Sequence, residues 1–291
     1  MAADRLDVRK TYKLYLAGAF PRSESGRTYE VADTKGRFLA NAAQASRKDA
    51  RDAVVAARNA FSGWSGATAY NRGQVLYRVA EVLEGRRAQF VAEVAAAEGL
   101  AARAADAAVT AAVDRWVWYA GWADKIAQID GSSNPVAGPY FNFSTPEPTG
   151  VVAVLAPQGS SLLGLVSVVA PVIVSGNTSV VLASEARPLA AVTLGEVLAT
   201  SDLPGGVVNI LTGRIAEVAP VLAAHLDVNA IDATGAAGDA ALATALEMEA
   251  AENLKRVRPA PAAEPDWTAE QDGRRILAFC ETKTVWHPVG I

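Results

Sequence analysis

The chain reads as an α/β protein built on a doubly wound parallel sheet, with a helical segment ahead of it. Three observations carry that reading. The continuous apolar run Val151–Leu155 has the character of a strand buried on both faces, and further strands follow at 179–182, 207–211 and 228–232. Helix-like stretches separate them at the short spacing of strand–helix alternation. Two further segments, 138–148 and 279–287, alternate their side chains as extended, half-exposed strands do.

Taken in order, residues 12–31 alternate like a β-hairpin, with Gly26 as the turn residue. Ser46 followed by Asp49 makes a capping box, and Val54, Ala57 and Phe61 then recur at helical spacing until Trp64 closes the helix. A second helix, 70–86, sets Val75, Val79, Val82 and Leu83 on one face. A third covers 87–97. Gly99 interrupts, and a fourth, 104–129, carries Trp116, Trp118, Tyr119 and Trp122. Aromatic residues at that density pack between helices. After the extended arm at 138–148, helices at 162–175, 189–200, 215–225 and 238–253 alternate with the strands. Ligands of such sheets sit beyond the carboxyl ends of the strands, so a site would be built from loops 156–161, 183–188, 212–214 and 233–238. Residues 258–267, rich in Pro and Ala, read as a linker. In the last strand Cys280, Thr282, Thr284 and Trp286 face away from Phe279, Glu281, Lys283 and Val285.

The organisation is therefore a hairpin and helices over 1–137, an arm over 138–150 and a Rossmann-like core over 151–257. A linker over 258–271 and a terminal strand over 272–291 follow. With 291 residues, 51% hydrophobic and 20% charged, the chain can bury a large core. Net charge is −4 and no Lys/Arg cluster forms a phosphate-tracking stripe, which excludes nucleic acid as a partner. One cysteine excludes an internal disulfide, and two histidines leave no metal constellation, so no metal is expected. The start, Met1-Ala-Ala-Asp4-Arg5-Leu-Asp7, is too charged for a secretory signal. The longest apolar run, 162–174, contains Gly164, Ser167 and Pro171 and falls short of the ~20 residues of a membrane span. A soluble, cytoplasmic chain with no membrane partner is the expectation.

Several short motifs resemble the NAD(P)-dependent aldehyde dehydrogenase superfamily, in the family's order. They include Gly26-Arg27-Thr28-Tyr29-Glu30-Val31, Ala60-Phe61-Ser62-Gly63-Trp64 and Tyr119-Ala120-Gly121-Trp122-Ala123-Asp124-Lys125-Ile126. The most specific are Glu147-Pro148-Thr149-Gly150-Val151-Val152, Gly176-Asn177-Thr178 and Leu203-Pro204-Gly205-Gly206-Val207-Val208-Asn209-Ile210. The resemblance covers residues 13–257 and the final strand, where Glu281-Thr282-Lys283-Thr284-Val285 looks like the family's C-terminal strand. It implies the family's coenzyme-binding domain, with the arm and that strand pairing as an extended two-strand oligomerisation arm. It also implies a catalytic domain excised after Val257 and bridged by the linker.

What the resemblance implies for a coenzyme site is uneven. Leu155, Ala156 and Pro157 match the backbone segment after the first strand. Aligned through Gly176-Asn177-Thr178, the family's ribose-binding glutamate is retained as Glu185, while its lysine is Leu182, or Ala183 with a shift of one. Gly213 survives after the third strand, but a second glycine is Ile215. Thr234 and Gly235 survive after the fourth, while the phosphate-binding serine is Ala236. The losses amount to a charge-assisted hydrogen bond of about 1.5–3 kcal/mol and a neutral one of about 1 kcal/mol, together roughly a thousandfold in affinity. Coenzyme is thus expected to be absent or to be weakly held NAD(P). Glu185 reads equally as a carboxylate favoured by a helix start, and Thr234-Gly235 as a tight turn.

For catalysis the family needs a cysteine nucleophile, an oxyanion-stabilising asparagine and a glutamate base. The resemblance sets Gly159 at the asparagine position and Arg258-Pro259 where the stretch carrying the base begins. No catalytic residue is assigned. Cys280 lies seven residues before His287, an odd separation that turns the two side chains to opposite faces; it reads as structural. His225 reads as a cation near a helix C-terminus. The resulting reading is a non-catalytic aldehyde-dehydrogenase-like subunit that associates with copies of itself or with a complete aldehyde dehydrogenase. The alternatives are an NAD-binding module or sensor, and an aldehyde dehydrogenase active only with a partner.

Overall fold

A computed structural model describes residues 10–269 and 271–290. The charged start at 1–7, one linker residue (270) and the last residue lie outside it.

The N-terminal hairpin is β1 (Thr28–Ala32) with β2 (Phe38–Ala43), joined by a turn in which the Asp33 carboxylate accepts from the Lys35 and Arg37 amides. Of the hairpin expected over 12–31, a tight turn is present, with Leu16 bridging Ala19 antiparallel and the Leu14 amide donating to the Pro21 carbonyl at 3.1 Å. The rest of the pairing goes elsewhere, Tyr12 bridging Ala42 of β2 and Tyr15 bridging Ile210 of the main sheet. The capping box at Ser46 and Asp49 starts α1 (Arg47–Gly66), with the Ser46 amide donating to Asp49 at 2.8 Å. Then follow α2 (Ala69–Gly85), α3 (Arg87–Glu98) and α4 (Ala102–Trp122), with Gly99 in the left-handed conformation ending α3. The apolar face of α2 is Leu76, Val79, Ala80 and Leu83; Val75 and Val82 flank it, half-buried. The helix expected over 104–129 is interrupted at Ala123–Lys125, and α5 (Ile126–Asp130) is a separate turn leading into β3 (Ser132–Asn134).

The arm is β4 (Tyr140–Pro148), and after a glycine turn β5 (Val151–Leu155) opens the core. It continues α6 (Leu163–Val174), β6 (Thr178–Leu182), α7 (Leu189–Leu198), β7 (Val208–Leu211), α8 (Ile215–Ala224) and β8 (Ala230–Asp232). A 3-10 turn at Thr234–Ala236 and α9 (Ala240–Ala251) precede β9 (Arg256–Arg258), α10 (Arg274–Leu277) and β10 (Cys280–Pro288). Among the described residues the main sheet runs β7-β6-β5-β8-β9, every neighbouring pair parallel. β9 straddles the boundary between the core read over 151–257 and the linker read from 258; its short Arg-Val-Arg run carries little apolar signal of its own.

Pleating divides β5 between two cores. Val152 and Val154 join α2, α4, α6 and α7 on one face; Val151, Ala153 and Leu155 join α1, α8 and α9 on the other. Burial on both faces is why these strands are apolar throughout. A separate antiparallel sheet, β10-β4-β3, holds β10 against β4 over nine paired residues from Cys280↔Pro148 to Pro288↔Tyr140. Asn177 ties the two sheets together. Its Oδ1 accepts from the Gly150 amide at 2.8 Å and its Nδ2 donates to the Phe279 carbonyl at 2.7 Å, both fully buried.

Candidate functional site

Strand order reverses between β5 and β8, so the switch point of this sheet lies where Ala156 and Ala233 leave it. That crevice is where a doubly wound fold builds a ligand site. Of the sequence-predicted residues, Leu155, Ala156 and Pro157 stand at the end of β5, Glu185 after β6, Gly213 after β7, and Thr234 with Gly235 after β8. The fold brings them to one end of one sheet.

Each of these groups has a partner within the chain. The Glu185 carboxylate receives Arg214 Nη1 at 2.8 Å and the Ile215 amide at 2.9 Å, pairing with a cation and capping the start of α8. The Glu185 amide donates to Gln158 Oε1 at 2.9 Å, and Gln158 Nε2 donates to the Ala156 carbonyl at 2.7 Å. Arg214 also stacks over the Tyr29 ring, 5.0 Å from its centroid. Leu182 and Ala183 are buried at the end of β6. Gly213 has φ +147°, and a Cβ there would stand 3.0 Å from the Ala45 amide nitrogen.

Thr234 is turned inward. Its amide donates to Asp232 Oδ1 at 2.9 Å, and its hydroxyl donates to the same oxygen. Gly235 passes so close to β5 that a Cβ would sit 2.3 Å from the Ala156 carbonyl oxygen. A turn packed this tightly admits no side chain. Asp232, fully buried, faces Arg275 at 3.3 Å and Arg258 at 3.9 Å. Burial draws the Arg275 guanidinium below its ordinary pKa, and Asp232 opposes that shift.

The residues that sequence reasoning missed lie in the segment read as a linker. From β9 the chain crosses the switch point. The Ala262 carbonyl lies 4.0 Å from the Cβ position of Gly238, and the Glu264 carboxylate then meets the loop after β5. Glu264 Oε2 accepts from the Gly159 amide at 2.7 Å, and Oε1 from the Ser160 amide at 3.0 Å and Trp267 Nε1 at 2.9 Å. Trp267 is buried in the core beside α6, and Arg115 Nη2 donates to the carbonyls of Trp267 and Ala269, each at 3.0 Å. A tryptophan within a Pro/Ala stretch was the available signal of docking, since free linkers have no apolar payload to bury.

Cys280 opens β10 opposite Pro148, at the amino end of β5. The crevice is at the other end, five residues away at roughly 3.3 Å each. The thiol donates to the Ile276 carbonyl, and burial pushes its pKa up to about 11. It belongs to the packing of the arm. Among the described residues, no group of three His, Cys, Asp or Glu side chains is arranged to hold a metal, and no helix is long and apolar enough to cross a membrane.

Comparison with known proteins matches residues 20–259 to the model of the Aldehyde dehydrogenase family. Human retinal dehydrogenase 2 is 33% identical over 259 residues, covering 87% of this chain and 48% of that protein. The mitochondrial benzaldehyde dehydrogenase of Antirrhinum majus is 30% identical, covering 94% and 49%. Among solved structures, HpcC of Thermus thermophilus superposes with a TM-score of 0.81 at 29% identity, covering 86% of this chain and 48% of that one. An aldehyde dehydrogenase of Bacillus cereus in complex with NAD+ gives 0.80 at 26%, covering 85% and 50%. The chain spans about half the length of the relatives it matches.

Proposed function

The chain belongs to the aldehyde dehydrogenase family, and from that premise we propose that it serves as a non-catalytic subunit. It would act as a scaffold or regulatory partner, assembling with copies of itself or with a complete aldehyde dehydrogenase in the cytoplasm. One observation carries the reading: the arm β4 is completed by the chain's own β10 over nine residues. One face of that sheet turns Trp286 and Tyr140 outward at 58% and 46% exposure, edge-on to one another, and the opposite face exposes Phe141 at 50%. Clustered exposed aromatics mark a protein-contacting surface, and β10 ends its sheet with an edge unpaired among the described residues, a template for another chain. The sequence's single thiol serves this arm and not the crevice.

The family's NAD(P) does not fit the crevice as this chain builds it. Both Glu185 carboxylate oxygens are engaged, and Glu264 occupies the amides of the loop after β5. No catalytic step follows from such an arrangement. Sedimentation or native mass spectrometry, alone and after co-expression with a complete aldehyde dehydrogenase, tests the proposal. The expected result is a dimer or larger assembly; a dispersed monomer that binds neither itself nor the dehydrogenase overturns it.

A second reading, an NAD-binding module or sensor, is favoured by the gathering of Glu185, Gly213, Thr234 and Gly235 at one sheet end. Titrating NAD while following the fluorescence of the six tryptophans decides it. Saturation at micromolar coenzyme, lost in Glu185→Ala, would replace the scaffold reading. The geometry leads us to expect no saturation in that range. Turnover of an aldehyde by the chain with a partner, and not by the partner alone, would support the third reading of the family's activity restored in trans.

A further inference from the structure

We propose that the Gly159 and Ser160 amides form a carboxylate-binding site at the switch point of the sheet. Its resident ligand is the chain's own Glu264, which latches residues 258–269 across the crevice. Two successive backbone N–H groups converge on one carboxylate, at 2.7 Å to Oε2 and 3.0 Å to Oε1. A third donor, the indole of Trp267, reaches Oε1 at 2.9 Å. Each oxygen thus has its own backbone donor, the two-point geometry that suits a planar carboxylate.

The surrounding residues are shaped to this ligand. A Cβ on residue 159 would stand 2.9 Å from Glu264 Oε2, so glycine is what lets the carboxylate reach both amides. A Cβ on residue 164 would stand 2.9 Å from Trp267 Nε1, so a second glycine makes room for the third donor. Arg187 Nη1 donates to the Gly159 carbonyl and orients that peptide. Arg115, nine-tenths buried, holds the far end of the strap through the Trp267 and Ala269 carbonyls and is itself held by the Ser167 hydroxyl. At the near end the Ala233 amide donates to the Arg258 carbonyl at 3.0 Å. The strap is fastened on both sides of the crevice, and Glu264 is its fastening in the middle. A ligand that is to reach the Gly159 and Ser160 amides has to displace that carboxylate. The assignment stands on these contacts and is independent of the assembly proposed above.

Chemical rescue tests it on the full chain. Hydrogen exchange of the Gly159 and Ser160 amides is followed by NMR in wild type, Glu264→Ala and Glu264→Gln. Each protein is measured in sodium acetate and in sodium chloride of equal ionic strength. Wild type is expected to protect both amides in either salt. Glu264→Ala is expected to exchange both at least tenfold faster in chloride and to regain protection in acetate, the small carboxylate filling the vacated position. Glu264→Gln, with one carbonyl oxygen, is expected to protect only one of the two. Unchanged exchange in Glu264→Ala overturns the site, and so does recovery in chloride equal to that in acetate. If the alanine variant fails to fold, the glutamine variant decides: one released amide supports the site, and two protected amides overturn it.

Discussion

At the scale of single residues, the chemistry of this chain is inward-facing charge. Asp232 is the sharpest case, a fully buried carboxylate accepting both Thr234 donors and facing Arg258 and Arg275. Removing one partner of a buried ion pair leaves the others uncompensated, which costs about 3–5 kcal/mol. Asp232→Ala is therefore expected to lower unfolding stability by about 3 kcal/mol in urea melts, whereas an equivalent change at the exposed Asp52 should cost little. Cys280 behaves oppositely, as a neutral buried group. With its pKa pushed up to about 11, it stays protonated through the neutral range and ionises only as the pH rises toward that value. Alkylation by iodoacetamide at pH 8 is expected to run at least a hundredfold slower than for a free cysteine, and to accelerate with pH up to about 11. The unfolded thiol ionises at lower pH, so its stabilising contribution is present below about pH 8.5 and lost through the folded value. Labelling at the rate of a free thiol would show that the thiol is not buried as described.

At the scale of elements, the parts whose local signals agreed with their surroundings were readable from the residues. The capping box at Ser46 and Asp49, the glycine end of α3, and the apolar strands β5 to β8 are of this kind. Of the hairpin expected over 12–31 only the Leu16–Ala19 turn pairs locally, because alternation marks an extended chain without naming its partner; Tyr15 pairs with Ile210 instead. β9 escaped because three residues at a sheet edge carry too little pattern. The candidate site divides the same way. Glu185, Gly213, Thr234 and Gly235 were named from motif positions, but that Glu185 would be answered by Arg214 and the α8 amide depended on where β7 and α8 converge. The arm carries its own prediction. Replacing Trp286 and Tyr140 with Lys puts charge on the exposed aromatic face the two share while leaving the β4–β10 register in place. The double variant should sediment as a smaller species than wild type with a Tm within a few degrees of it; an unchanged assembly would move the contact elsewhere.

At the scale of the whole molecule, one continuous path links the features that matter. The chain leaves the parallel sheet at β9, crosses the switch point under Glu264, buries Trp267 against α6, and returns through α10 to complete the arm as β10. Coenzyme-type sheet and arm are thereby held by one segment, and Asn177 fastens their junction. On the proposed reading, weakness toward NAD(P) is expected at this scale from the contacts made by Glu185 and Glu264, as well as from the residues the resemblance sets at the family's lysine (Leu182, or Ala183 with a shift of one) and serine (Ala236).

By itself the sequence determined the class of fold, the order and placement of the core elements, and the family, because these rest on periodicity, caps and local motifs that short stretches of chain encode. Only the tertiary structure decided what residues 258–269 do. A run of Pro and Ala specifies little about its own path, so its course is set by the distant groups it meets: two amides at 159 and 160, the Arg115 guanidinium, and the space left by two glycines.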